Sequence, residues 1–375
     1  MTAPSPLLDL DDAASLAAAD TEGALRAAAL GGAQVRSVAE AVAEGVFNRL
    51  RDLRPRSVVL VTSGGRAARA ASVLVASVGP QFGLPVVQLS TVPPWVGSLD
   101  VVVVAGDDAG DPRLVAAADS ALRRGAELVV VARNEGPLGS VAGRGTILAP
   151  RVPVPDRHGF LRYLAGGLGV LGALDTGRGA QLPDLADLAD RLDAEAARSH
   201  PSAEVFHNPA KSLAVRFQGR RVVLAGDGPA TIAFAGHGTD MLLATAGVTA
   251  SAADLADVAA SAALLSGTGD VPPGYDPLFH DEELDGPSPV TPARVFVLAT
   301  SQSRNATMRR IAVLPDAEVL STAEEVDEIG TGDREMTGRA AGGAAQGDRT
   351  ETEQLAVLAV RLEMAAVYLR LIGGR

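Results

Sequence analysis

Val101-Val102-Val103-Val104-Ala105-Gly106-Asp107-Asp108-Ala109-Gly110-Asp111-Pro112 is an apolar run that empties into an acidic turn and then opens a helix. An uninterrupted apolar run of this kind reads as a strand buried on both faces, the habit of parallel sheets covered by helices. Asp111 before Pro112 reads as a helix start, since a carboxylate can accept the first free amides and proline has no amide hydrogen to leave unpaired. In such sheets ligands gather beyond the carboxyl ends of the strands, so residues 106–111 govern what binds there.

The same alternation extends in both directions. Val35, Val38, Val42, Val46 and Leu50 recur at three- and four-residue spacing and predict a helix over 33–53, leading into the apolar run 58–61. Ser63-Gly64-Gly65 opens a helix to about residue 78, 86–89 and 99–105 read as strands, a helix runs to about 124, and 127–132 is the next strand. A helical region over 156–199 bridges to a second alternating segment with clear strands at 221–225 and 293–299. Between these, 251–265 reads as an alanine-rich helix and 272–292 as a proline- and acid-rich loop. Residues 330–346, rich in glycine, alanine and threonine, have little to bury and are expected to be mobile. A last helix, 351–372, carries Leu355, Leu358, Leu362, Ala365, Leu369 and Ile372 on one face.

Strands separated by helices imply two α/β halves, each a parallel sheet with helices on both faces. The expected organisation is an N-terminal helical segment (1–54), a first α/β domain (55–155), bridging helices (156–200) and a second α/β domain (201–375).

Composition narrows the function classes. The chain has 375 residues, 47% of them apolar and 21% charged, as in soluble globular proteins of two ordinary domains. A net charge of -12 argues against nucleic acid or an anionic membrane as a partner, because counterion release needs clustered cations. Lys211 is the only lysine. With no cysteine there is no disulfide framework, thiolate nucleophile or Cys-based metal site. His158, His200, His207 and His237 have no partner at helical spacing, so no metal and no cofactor is expected. The acidic start of the chain lacks a basic segment followed by an apolar core, which points to a cytoplasmic protein.

The order of segments resembles the bifunctional phosphoglucose/phosphomannose isomerases, built from two sugar-isomerase (SIS) domains, and within them the actinobacterial TobH-type branch. The residues carrying the likeness are Leu16-Ala17-Ala18-Ala19-Asp20-Thr21-Glu22-Gly23-Ala24-Leu25, Thr62-Ser63-Gly64-Gly65-Arg66, Val92-Pro93-Pro94-Trp95-Val96, Asn208-Pro209-Ala210-Lys211-Ser212-Leu213-Ala214 and Val367-Tyr368-Leu369-Arg370-Leu371. The resemblance implies two SIS-type domains, a sugar-phosphate ligand and a homodimer, to which the alanine-rich helices and the Tyr368-bearing helix would lend an apolar face.

Aldose–ketose interconversion needs a phosphate cradle, a ring-opening acid/base and a carboxylate to move a proton between C1 and C2. Where the family has a Ser/Thr-rich turn of the form S-Y-S-G-N-T, this chain has Gly106, Asp107, Asp108 and Asp111. A carboxylate about 5 Å from a phosphate repels it by roughly 1–2 kcal/mol per charge pair at an effective dielectric near 40. The same aspartates also fit a structural part, capping the helix at its positive end. The family's glutamate in an N-E-N-A-K-like motif has no counterpart, since residues 205–281 hold no glutamate, and its C-terminal lysine is absent from Ile372-Gly373-Gly374-Arg375. Asp240, Asp254 or Asp257 would serve as base only with altered reach, and Lys211 reads as a surface lysine.

Two positions do carry over. Phe279-His280-Asp281-Glu282-Glu283-Leu284 resembles the family's H-N-E segment, which implies His280 as ring opener, and Arg157 stands where the family places a guanidinium against the enediolate. By residue chemistry alone, Ser63-Gly64-Gly65-Arg66 is the best anion site, with backbone open to a ligand, free helix amides and a guanidinium. Two functions stay open: a carbohydrate-derivative binding protein that has lost catalysis, with Ser63, Gly64, Gly65, Arg66, Gly106, Asp107 and Asp108 lining its site, or an active aldose–ketose isomerase using His280 and Arg157.

Overall fold

The structure, a computed structural model, describes residues 8–174, 181–261, 276, 279–286, 293–312, 314, 316–322 and 350–373. Helices α1 (Ala13–Ala19), α2 (Ala24–Ala29) and α3 (Gly31–Ala43) precede a first unit of β1 (Ser57–Thr62), α4 (Gly65–Ser77), β2 (Val86–Leu89), β3 (Asp100–Ala105), α5 (Pro112–Arg123), β4 (Glu127–Val131), α6 (Gly136–Ala142) and β5 (Thr146–Ile147). Helices α7 (Phe160–Leu174), α8 (Leu185–Arg198) and α9 (Pro209–Phe217) lead to a second unit. It comprises β6 (Arg221–Gly226), α10 (Pro229–Ala246), β7 (Ala250–Asp254), α11 (Leu255–Ala260), α12 (Glu282–Asp285), β8 (Ala293–Leu298), α13 (Arg304–Ile311) and β9 (Ala317–Leu320), and α14 (Glu351–Ile372) closes the chain.

Both sheets are parallel, ordered β2-β1-β3-β4-β5 and β7-β6-β8-β9. Successive strand residues point to opposite faces. Val58 and Leu60 therefore join a central core that also holds Val222, Leu224 and Phe296 of the second sheet, while Val59 and Val61 join an outer core under α5 and α6. Val223, Ala225, Val295 and Val297 face the opposite outer layer with Leu255, Val258 and Ile311. Each sheet thus has two buried faces, which is why its strands read as apolar runs.

Several expectations shift. The helix predicted over 33–53 ends at Ala43, because the chain turns left-handed at Gly45 (φ 91°), and a 3₁₀ turn, Asn48–Leu50, follows. Residues 250–254 are an edge strand pairing with β6, not the start of an alanine-rich helix; helix begins only at Leu255, capped by Asp254. The 330–346 segment and most of the 272–292 loop lie outside the described residues.

Helix α14 occupies the predicted range but buries far more than one face. It runs through the central core, and even Glu353, Gln354 and Glu363 are buried. Tyr368 is fully enclosed, its hydroxyl donating to the Ser199 carbonyl at 2.8 Å, so this side chain is not open to a second copy. Lys211 is likewise internal rather than a surface lysine: its ammonium donates to the carbonyls of Pro201 (2.6 Å) and Ala203 (2.7 Å).

Candidate functional site

Strand order reverses between β1 and β3, and again between β6 and β8, so each sheet opens a crevice at the carboxyl ends of those strands. The first crevice is flanked by Ser63-Gly64-Gly65, after β1, and Gly106-Asp107-Asp108, after β3. Gly64 (φ 128°) and Gly65 (φ 61°) hold backbone conformations that side chains rarely adopt, and the space over both is open. No side chain caps α4, so its first amides and the positive end of a 13-residue helix are presented there.

The acidic turn is less negative than its sequence suggests. Asp107 accepts from the Arg162 guanidinium at 2.9 Å and from the Tyr163 hydroxyl at 2.5 Å. Burial pushes its carboxyl above the usual range, against the pull of Tyr163 and Arg162. Asp111 caps α5 through the Arg113 amide and pairs with the Arg113 guanidinium. That pairing, with further bonds from the Arg113 amide and the Ser63 hydroxyl, brings its carboxyl down to about 2. Asp108 accepts only the Gly110 amide, at 2.7 Å, and has no cationic partner among the described residues. One carboxylate of the three therefore lacks a cationic partner among the described residues.

Arg66 does not reach into the crevice. Its side chain lies in the seam between the two units, donating to the carbonyls of Arg157 (3.0 Å) and Asp240 (3.1 Å), and burial lowers its pKa. Arg157 is thereby tied to the 63–66 turn. Its guanidinium stands 3.5 Å from Glu22, and its buried Nε meets no protein acceptor. Ser63, Arg66, Gly106, Asp107 and Arg157 thus form one neighbourhood. His280 has its Nε2 3.0 Å from the Gly286 carbonyl and its Nδ1 3.8 Å from Asp285.

No family profile and no curated protein matches this sequence. Solved structures do. The chain is similar to tagatose-6-phosphate ketose/aldose isomerase from Escherichia coli (TM-score 0.59, 15% identity, 95% of this chain and 93% of that one). It is also similar to the C-terminal domain of glucosamine-fructose-6-phosphate aminotransferase from Francisella tularensis (TM-score 0.54, 10% identity, 91% and 94%). A hypothetical protein from Thermus thermophilus has a TM-score of 0.62 at 14% identity, covering 96% and 89%. The fold is a double sugar-isomerase (SIS) fold.

Within this SIS fold the second crevice holds residues that the sequence reading passed over. Thr300-Ser301-Gln302-Ser303 follows β8 and opens α13, a hydroxyl-rich turn at the place where the first unit has its acidic one. Protein groups already occupy it. Gln354 of α14 accepts the Ser301 amide (2.7 Å) and donates to the Ser301 hydroxyl (3.0 Å), while Asp227 accepts from Thr307 and pairs with Arg310. A search for serine and threonine after each strand would have found this turn, but not the side chains that fill it. No group of three His, Asp or Glu side chains is placed to hold a metal ion among the described residues, and no described helix is long and apolar enough to cross a membrane.

Proposed function

We propose that this chain binds a phosphorylated carbohydrate derivative in the first crevice and has lost aldose–ketose interconversion, as a relative of the bifunctional phosphoglucose/phosphomannose isomerases of the TobH-type branch. The observation carrying this reading is the uncapped N-terminus of α4 beneath the open backbone of Gly64 and Gly65. Amides donating to a phosphate contribute on the order of 1.5–3 kcal/mol each, and the helix end adds up to about 2. Against this stands the single unpaired charge of Asp108, a penalty of roughly 1–2 kcal/mol. Attraction wins.

Loss of catalysis is supported by the way the candidate acid/base groups among the described residues are engaged. Asp107 is held by Arg162 and Tyr163, Asp240 by Arg69, and Nε2 of the candidate ring opener, His280, lies 3.0 Å from the Gly286 carbonyl.

Calorimetric titration with glucose 6-phosphate, mannose 6-phosphate and fructose 6-phosphate tests the reading, with the free sugars as controls. Binding of at least one sugar phosphate, its loss in Gly64→Asp, and no turnover above His280→Ala are expected. Equal heats for phosphorylated and free sugars, or none for either, would remove phosphate recognition. Turnover that depends on His280 would restore an active isomerase.

A further inference from the structure

Behind the crevice, where α4 and α10 pack together, the structure gathers three titratable side chains that the sequence scatters. His158 stands in the 3₁₀ turn Asp156–His158, His237 on α10 and Glu363 on α14. Nδ1 of His158 lies 2.8 Å from Oε2 of Glu363, and Nε2 of His237 lies 3.8 Å from Oε1 of the same carboxylate. All three are buried. Gln34 of α3 donates to the His158 carbonyl at 3.1 Å. Phe160 stacks on the His237 ring at 3.9 Å between centroids, and Phe234 lies 5.6 Å from it.

The charged and titratable groups facing His237 come from every side: Arg66 and Arg69 on α4, His158 on the turn, Glu363 on α14, and Asp240 on its own helix, paired with Arg69. Neither ring nitrogen of His237 meets a protein hydrogen-bond partner. A positive charge on the ring would therefore be forced against a phenylalanine face near two guanidiniums, with the nearest carboxylate already engaged by His158. That arrangement tolerates a neutral imidazole and opposes an imidazolium.

We propose that this cluster is an acid-sensitive latch between the two sheets: the α4–α10–α14 seam closes on neutral His237 and loosens when that ring takes a proton. Burial, then the nearby guanidiniums and His158, hold the ring's pKa well below the ordinary histidine value in the closed seam. An opened or unfolded chain protonates near pH 6.5. The closed state thus binds fewer protons, and its stability is present above about pH 6.5 and falls as the pH drops below it. One proton's difference corresponds to about a tenfold rise in the open fraction per pH unit.

Hydrogen exchange followed by mass spectrometry at pH 7.5, 6.5 and 5.5, corrected for intrinsic rates, reads this directly. Amides of α10 and α14 should open up to about tenfold more at pH 5.5 than at pH 6.5, and His237→Phe should abolish the increase. The same pH dependence in His237→Phe would overturn the latch. Should that variant fail to fold, long-range ¹H–¹⁵N spectra of the wild-type imidazoles decide the matter. A His237 ring still neutral at pH 5.5 supports the proposal, and one that titrates near 6.5 ends it.

Discussion

Arg162 and Asp107 stand 2.9 Å apart at the mouth of the first crevice, the guanidinium from the first turn of α7 meeting the carboxylate that follows β3. Tyr163, next in the chain, donates its hydroxyl to the same carboxylate oxygen. This three-membered contact is why the acidic turn carries less free negative charge than its sequence suggests. Replacing Asp107 by alanine strands a buried guanidinium and a buried hydroxyl. A loss of about 2–3 kcal/mol in urea denaturation is expected, with Asp107→Asn costing less because both donors keep an acceptor.

Asp111 carries a pH signature. Its carboxyl is lowered to about 2 by Arg113 and the helix-capping bond, against 3.8 ordinarily, so the folded chain holds it ionised where the unfolded chain would protonate it. Its contribution is complete above about pH 4 and disappears as the pH falls toward 2. Asp111→Ala should unfold more readily at pH 7 by about 1 kcal/mol, and the gap to wild type should close near pH 2 in paired denaturation curves.

Lys211 gives a slope of the same sign in a higher pH range. Burial lowers its pKa from 10.5, so the unfolded chain binds more protons than the folded one below that value, and its share of the stability should rise with pH in that window. Comparing wild type with Lys211→Met between pH 7 and 10 isolates this slope from that of the tyrosines. At pH 7 the variant should be about 1–2 kcal/mol less stable, because the Pro201 and Ala203 carbonyls lose their donor.

The start of α14 is fastened by a capping box in which Thr350 accepts the Glu353 amide and Glu353 accepts the Thr350 amide. Thr350→Ala should cost about 1 kcal/mol. The loss should appear as faster exchange of the first-turn amides of α14 well before the sheets open.

Much of the architecture was readable because hydrophobic period survives in the residue order. Strand β2 and helix α14 lie on their predicted ranges, and Asp111-Pro112 starts a helix as its chemistry demands. The strand Ala250–Asp254 was missed, since alanine favours helix and only pairing with β6 overrides it. The open backbone of Gly64 and Gly65 and the uncapped start of α4 were legible because glycine conformation and free helix amides are local properties. The direction of Arg66 was not, because its acceptors, Arg157 and Asp240, stand 91 and 174 residues away.

Residue order alone settled the α/β alternation, the strand-to-helix turns and the excess of negative charge, all of which follow from interactions a few residues long. Tertiary packing decided which charges survive. It neutralised Asp107 with Arg162, buried Lys211 among carbonyls, and set Glu363 against His158 from 205 positions away. Electrostatic energy depends on distance and burial, and neither quantity exists until the chain has closed on itself.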